Sequence, residues 1–453
     1  MSSVPRISLP LVDGAMVTVP DDPALMTPFV LREQGDWFED EIRFLRTYLL
    51  PGMAVVDVGA NYGCYTLASA RRVGAMGRVW AYEPASLPGE CLAESIRPYP
   101  WISLHRLALS DHTGHALLGI SQHAELNSLS THEGETESVT LATIDAEMVG
   151  WDRAIDFLKL DAEGEEVRIL AGAKAFFARG DHPLVMLELK HGGQVNHGLL
   201  QAAVDLGMQL YRLVPGLQVL EPCNPSLPMD DFQLNLFACD DIRRKEMQER
   251  GLLIDLPCAV PALDARAAWN VMAEWGAHHP WTGSLWPKGK PITHDQPLGG
   301  AYLTGMAHLL LSESPSLPIH DRYAHLMEAS SRLSAAFHHA PTVSRGVTAS
   351  RALLRRGARG HAVTILRSCI VAPGVGPQEA FLPVQPSHED LDYAGCSVDA
   401  VLRIFLRDAL LLWHGWSLFF SARHLAPLVE EASRNEIACP EVRHRLSLLA
   451  RMR

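Results

Sequence analysis

Between Phe38 and Cys239, short apolar β-branched runs alternate with segments whose apolar residues recur at helical spacing. Nothing else in the chain limits its fold as strongly. A run with no polar face reads as a strand buried on both sides of a parallel sheet, and each needs a helical crossover to reach the next. Ala54 to Val58, Arg78 to Tyr82, Ile102 to Leu109, Asp156 to Leu160 and Leu184 to Leu189 read as such strands. Phe38 to Leu50, Tyr65 to Arg72, Pro88 to Ile96, Glu166 to Phe177 and Leu199 to Leu206 read as the helices between them. Ala116 to Ile120 and Val139 to Ile144 suggest a hairpin around a polar loop, and Leu210 to Val214 with Gln233 to Ala238 an antiparallel closing pair. The sum is an α/β, Rossmann-like doubly wound sheet.

The 453 residues allow two or three domains. We divide them as an N-terminal extension (1–34), the α/β domain (35–255), a Trp-, Pro- and Gly-rich linker or loop (256–300) and an α-helical domain (301–453). In the last, strand signals vanish and helical spacing runs over 301–313, 319–339, 348–371, 397–414 and 422–450. Arg351 to Gly357 followed by Gly360 to Ala372 resembles one helix–turn–helix unit of a solenoid, without a clean repeat. Charge divides unevenly: 20 basic and 36 acidic residues up to Ala259, and 19 and 16 after it. The acidic first half argues against binding nucleic acid through phosphates. Leu402 to Phe420 is interrupted by Arg403, Arg407 and Asp408, so it reads as a packed helix and not a membrane span. Eight scattered cysteines without a CxxC pair, and no secretory pattern over Met1 to Pro20, lead us to expect a cytoplasmic protein.

The chemistry-bearing stretch is Val55 to Gly63, VVDVGANYG. A buried strand ends at Asp57, and a Gly59/Gly63 turn opens a helix whose free N–H groups face a ligand. The adjacent strand ends at Glu83, 20 residues beyond Gly63, where a carboxylate can accept both hydroxyls of a ribose. The third strand ends at Leu109, Ser110 and Asp111, where an adenine edge would lie. A single short loop in place of GxGxxG argues against a dinucleotide.

Together these residues resemble a class I S-adenosylmethionine-dependent methyltransferase, and more narrowly the FkbM family. The resemblance rests on PGMAVVDVGANYGCYTLASA (51–70), GRVWAYEP (77–84), LHRLALSDHTG (104–114), NSL (127–129), VTLATID (139–145), DFLKLDAEGEEVRILAGA (156–173) and LVMLEL (184–189). It covers roughly residues 35 to 240. It implies a seven-stranded methyltransferase sheet, S-adenosylmethionine as donor and S-adenosylhomocysteine as product. Asp57 and Asn61 would meet the methionine end, Gly59 and Gly63 would shape the loop, and Glu83 would hold the ribose. Leu109, Ser110 and Asp111 would neighbour the adenine. The implied reaction is mostly O-methylation of sugars, polysaccharide components or secondary metabolites.

A hydroxyl acceptor needs a base. Candidates are Asp161 and Glu163, in the run Lys159 to Glu166, and His191 beyond the next strand; Glu188 and Lys190 could line the acceptor side. Each has a plainer reading: Glu163 could cap the following helix, His191 could be a loop histidine, and Asn127-Ser128 could be a turn. Trp269, Trp275, Trp281 and Trp286 could pin a linker or stack on a sugar. His278, His279, His294 and Asp295 lack metal-ligand spacing, so no metal is expected. An N- or C-methyltransferase on a peptide or natural product, and a cofactor-binding scaffold, remain alternatives. Beyond a small-molecule or glycan acceptor, the helical domain would serve acceptor recognition, a homodimer, or docking to a biosynthetic enzyme.

Overall fold

The computed structural model describes residues 4–121, 123–129, 135–191, 194–254, 258–260, 262–279, 281–286, 297–371, 379–421, 423–434 and 437–451. The chain divides into two compact units. The first comprises 1–213, 218–229 and 233–253, and the second 214–217, 230–232 and 254–453.

The first unit begins with a hairpin, β1 (Arg6–Pro10) and β2 (Met16–Pro20), and a helix, α1 (Met26–Gln34). Then follow α2 (Asp40–Tyr48), β3 (Ala54–Val58), α3 (Cys64–Val73), β4 (Arg78–Tyr82), α4 (Ser86–Ser95), β5 (Ile102–His105), β6 (Ala108–Leu109), β7 (Gly114–Ile120) and β8 (Glu135–Ala142). The rest are α5 (Ile144–Glu147), β9 (Phe157–Leu160), α6 (Glu166–Ala171), α7 (Lys174–Ala178), β10 (Leu184–Glu188), β11 (Lys190–His191), β12 (Gln194–Val195), α8 (His197–Asp205), β13 (Gln209–Val214), β14 (Val219–Pro222), β15 (Asn235–Cys239) and α9 (Asp241–Glu249).

The main sheet has the order β14-β13-β15-β10-β9-β3-β4-β5. Strands β5, β4, β3, β9 and β10 are parallel, and β15 runs antiparallel to both β10 and β13. This is the expected seven-stranded sheet with β14 added at one edge. β3 is the middle one of the five parallel strands, every residue buried, because Ala-Val-Val-Asp-Val faces helices on both sides. Apolar side chains of one face pack with α2 and α3 (Phe44, Leu45, Leu67, Ala68), and those of the other with α6 to α8 (Ile169, Phe176, Leu199). The carboxyl ends of β3, β4, β9 and β10 therefore share one edge.

The third strand is shorter than the sequence suggests. Its pairing with β4 ends at Tyr82 opposite His105, and Ala108–Leu109 joins β8 in a separate three-stranded sheet with β7. Arg106 marks the departure, its guanidinium donating to the carbonyls of Glu83 and Ala85 at 3.2 and 2.9 Å. The single helix read over Glu166 to Phe177 is two, broken at Gly172. There the chain passes so close to Ser110 that a Cβ would lie 2.3 Å from its carbonyl oxygen. The N-terminal residues, left unread by the sequence pattern, are built into the unit: Thr18 N donates to Ser95 Oγ at 2.8 Å and Arg6 pairs with Glu90 at 2.6 Å.

The second unit is helical: α10 (Ala265–Ala277), α11 (Thr282–Leu285), α12 (Pro297–Glu313), α13 (Ile319–His339), α14 (Val343–Arg356), α15 (Arg359–Val371), α16 (Val398–Trp413), α17 (Leu418–Ser421), α18 (Ala426–Arg434) and α19 (Pro440–Arg451). Successive helices from α12 to α16 pack side by side. Helices α10 and α11 lie within the Trp-rich stretch, where Trp275, Trp281, Trp286 and His279 stack on one another. His294 and Asp295 lie outside the described residues. Arg351 is buried between Glu313 and Glu389. In α16, buried Arg407 and Asp408 form an ion pair at 2.6 Å. Among the described residues no helix is long and apolar enough to cross a membrane.

Candidate active site

The loop after β3 turns through three left-handed residues, Gly59 (φ 74°), Asn61 (φ 48°) and Gly63 (φ 94°). At Gly59 no side chain is possible: a Cβ would lie 1.6 Å from the Asp161 carbonyl oxygen, a backbone atom. The two carboxyl-end loops, after β3 and after β9, thus touch through Gly59. Gly59 N and Ala60 N donate to Tyr82 O at 3.1 and 3.0 Å, fixing the loop to β4. Gly63 then caps the N-terminus of α3.

Glu83 is 6% exposed. Its Oε2 accepts from Asn61 N and its Oε1 from Ala85 N, each at 2.8 Å. Burial pushes its carboxyl up to about 7, although the two backbone amides pull the other way. Each oxygen retains a further lone pair, so the group can brace the loop and still accept from a diol. Asn61 Oδ1 accepts from Tyr62 N at 2.8 Å.

Asp57 is fully buried and accepts from Thr66 Oγ1 at 2.5 Å. Opposite it in register lies Lys159, a buried cation in an apolar strand. Lys159 Nζ is 3.4 Å from Asp57 Oδ1, 2.9 Å from Asp161 Oδ2 and 3.3 Å from Gly59 O. Burial lowers the Lys159 pKa, but Asp161 and Asp57 outweigh it and the net shift is upward. Its ammonium also lies over the Tyr65 ring, 5.2 Å from the centroid.

Asp161, Glu163 and Glu188 each bring one carboxylate oxygen within 4.8 Å of the others. Glu163 has a left-handed backbone (φ 50°), held by Ser128 Oγ donating to its carbonyl at 2.9 Å. Ser128 is thereby a loop anchor, and Asn127 Oδ1 accepts from Ser121 N. Burial, then Asp161, pushes the Glu163 carboxyl up to about 8. Glu166 turns back onto its own loop, accepting from Ala162 N and Gly164 N at 2.8 and 3.1 Å.

The remaining sequence candidates make other contacts. Leu109 is buried in the small sheet, and the Ser110 hydroxyl donates to Glu165 at 3.0 Å. Asp111 is exposed and paired with His112 at 2.6 Å, which lowers its pKa. The backbone of His191 pairs with Gln194, and its side chain lies outside those described. Glu39 was not foreseen. It precedes α2 and reaches the site by folding, accepting from Tyr65 OH at 2.6 Å and Asn235 Nδ2 at 3.1 Å. Its carboxyl is raised by burial and then by Asp161. No local pattern marks Glu39, whereas a lysine inside the apolar run FLKL is itself a signal for Lys159.

Comparison with known proteins agrees with the loop sequence. Residues 57–201 match the model of the methyltransferase FkbM domain. No curated protein matches the chain. Similar solved structures include a SAM-dependent O-methyltransferase from Thermotoga maritima, 12% identical, covering 53% of this chain and 94% of that one, with a TM-score of 0.28. Another is the fibrillarin of Aeropyrum pernix with natively bound S-adenosyl-L-methionine, at 12%, 52%, 99% and 0.27. A third is a SAM-dependent methyltransferase from Aquifex aeolicus, at 13%, 48%, 93% and 0.25. Residues 57–201 of this chain are thus similar to the methyltransferase FkbM domain.

Proposed function

We propose that the chain transfers a methyl group from S-adenosylmethionine to a hydroxyl of a sugar, glycoconjugate or secondary metabolite. The observation that carries this reading is the buried Glu83 carboxyl, joined to the Asn61 amide beside the Gly59–Gly63 turn. That arrangement suits a ligand with a cis-diol at Glu83 and a charged amino-acid end toward Asp57 and the N-terminus of α3. The donor supplies an electrophilic methyl group on a sulfonium. The chain's part is to hold that donor, to align the acceptor with it and to take up the acceptor's proton. Asp161 and Glu163, at the carboxyl end of β9, are the carboxylates of that end named from sequence. The acceptor would be a small molecule or glycan, with the helical unit serving acceptor recognition, self-association or docking to a biosynthetic enzyme.

Donor affinity of the full chain tests the reading. Asp57→Ala and Glu83→Ala should each weaken S-adenosylmethionine binding, and unchanged affinity in both would overturn the pocket assignment. Mass spectrometry of the product should find the new methyl on oxygen; a methyl on nitrogen or carbon would replace the hydroxyl acceptor with the N- or C-methylation alternative.

A further inference from the structure

Three carboxyl groups converge beyond two adjacent central strands, but they are differently engaged. In the parallel pairing of β9 and β10, Leu160 lies opposite Leu187, so the next residues, Asp161 and Glu188, stand side by side. Asp161 is paired with Lys159 at 2.9 Å. Glu163 sits on the strained turn behind it, and Glu166 holds loop amides. Glu188 brings a carboxylate oxygen within 4.8 Å of one on Asp161, while its Oε2 is buried and has no hydrogen-bond partner among the described residues. Two carboxylates this close repel each other as anions, which favours one proton shared between them. The buried Oε2 is an acceptor with nothing to accept, a costly state unless a ligand donates to it.

Resting on the methyl-transfer reading above, we propose that Glu188 receives the acceptor's hydroxyl proton, with Asp161 as its partner in a carboxyl dyad and Lys159 as the positioning residue that holds Asp161. The acceptor O–H bond breaks and its proton passes to Glu188 Oε2. The acceptor oxygen forms the new O–CH3 bond with the electron pair left behind. The old C–S bond breaks and its electron pair returns to sulfur. The dyad, now holding two protons, gives one back to water.

The surroundings raise the basicity of Glu188. Burial, then the charges of Asp161, Glu163 and Glu166, push the Glu188 carboxyl well above its ordinary value. Lys159 supplies the positive charge on the Asp161 side.

The test uses the full chain, labelled S-adenosylmethionine, and whichever fraction of a source-organism extract takes label from the wild type. Glu188→Gln should bind S-adenosylmethionine within about twofold of wild type. It should transfer label roughly 100-fold more slowly and lose the rise of rate with pH. Glu188→Asp, which keeps a carboxyl, should regain part of the rate and the pH limb. A Glu188→Gln variant that transfers at the wild-type rate, or that is slower yet keeps the limb, overturns the proposal. So does loss of wild-type transfer in EDTA with recovery in Mg2+ or Mn2+, since the three carboxylates would then be holding a cation. If the wild type neither binds S-adenosylmethionine nor transfers label, the methyl-transfer reading itself falls.

Discussion

Donor binding should depend on pH through Glu83. Its carboxyl ordinarily titrates at 4.5 and is pushed up to about 7 in the fold. A raised carboxyl favours the protonated form, so its contribution to stability is full below about pH 4.5 and is lost as pH rises toward about 7. The displacement corresponds to roughly 3 kcal/mol. A ribose diol needs the opposite form, the ionised acceptor. If only ionised Glu83 binds, affinity follows the ionised fraction, about one-eleventh at pH 6, half at pH 7 and ten-elevenths at pH 8. S-adenosylmethionine should therefore bind about tenfold more tightly at pH 8 than at pH 6, releasing about half a proton at pH 7. Titration calorimetry in two buffers of different protonation enthalpy reads both quantities. Glu163, pushed up to about 8, and the raised Glu39 and Glu188 lie close enough to add their own linkage. The control is Glu83→Gln, which keeps one acceptor and turns a donor toward the second backbone amide. It should bind roughly 10- to 100-fold more weakly at pH 8 and with a flattened pH dependence. Equal slopes for wild type and Glu83→Gln, or affinity independent of pH in both, would refute the reasoning.

Gly59→Ala combines a left-handed backbone with a Cβ placed against the Asp161 carbonyl, so it should lower stability by about 3 kcal/mol or more and abolish donor binding; a wild-type urea midpoint would contradict this. Lys159→Met leaves the fully buried Asp57 without its cation and should cost about 3 to 5 kcal/mol. Most of that loss should return in the Asp57→Asn/Lys159→Met pair, as read by urea denaturation, and a pair no more stable than Lys159→Met alone would argue against the ion pair.

The central strands were legible because β3, β4, β9 and β10 are short, mostly apolar runs without a polar face, as a doubly covered sheet requires. The link between Glu83 and the glycine turn was legible too, since adjacent parallel strands joined by one helix fix its spacing. The third strand was overread because Leu107 to Leu109 continue the alternation after β4 has run out of partners, and only Arg106 and the small sheet decide where it stops. Gly172 looked like any helix residue, for its reason lies in Ser110, 62 positions earlier. Glu39, Tyr65 and Asn235 meet through hydrogen bonds spanning 26 and 196 positions. Such contacts leave no local periodicity, so Glu39 was invisible and the roles of Glu188 and Lys159 could be narrowed only once the strand register was known.

Methyl-label transfer tests the central claim most directly. The full-length protein and methyl-labelled S-adenosylmethionine would be incubated with fractionated extract of the source organism, with Glu83→Ala alongside. The account predicts label in one fraction with the wild type and none with the variant. No label from the wild type in any fraction, or equal label from both proteins, would contradict it.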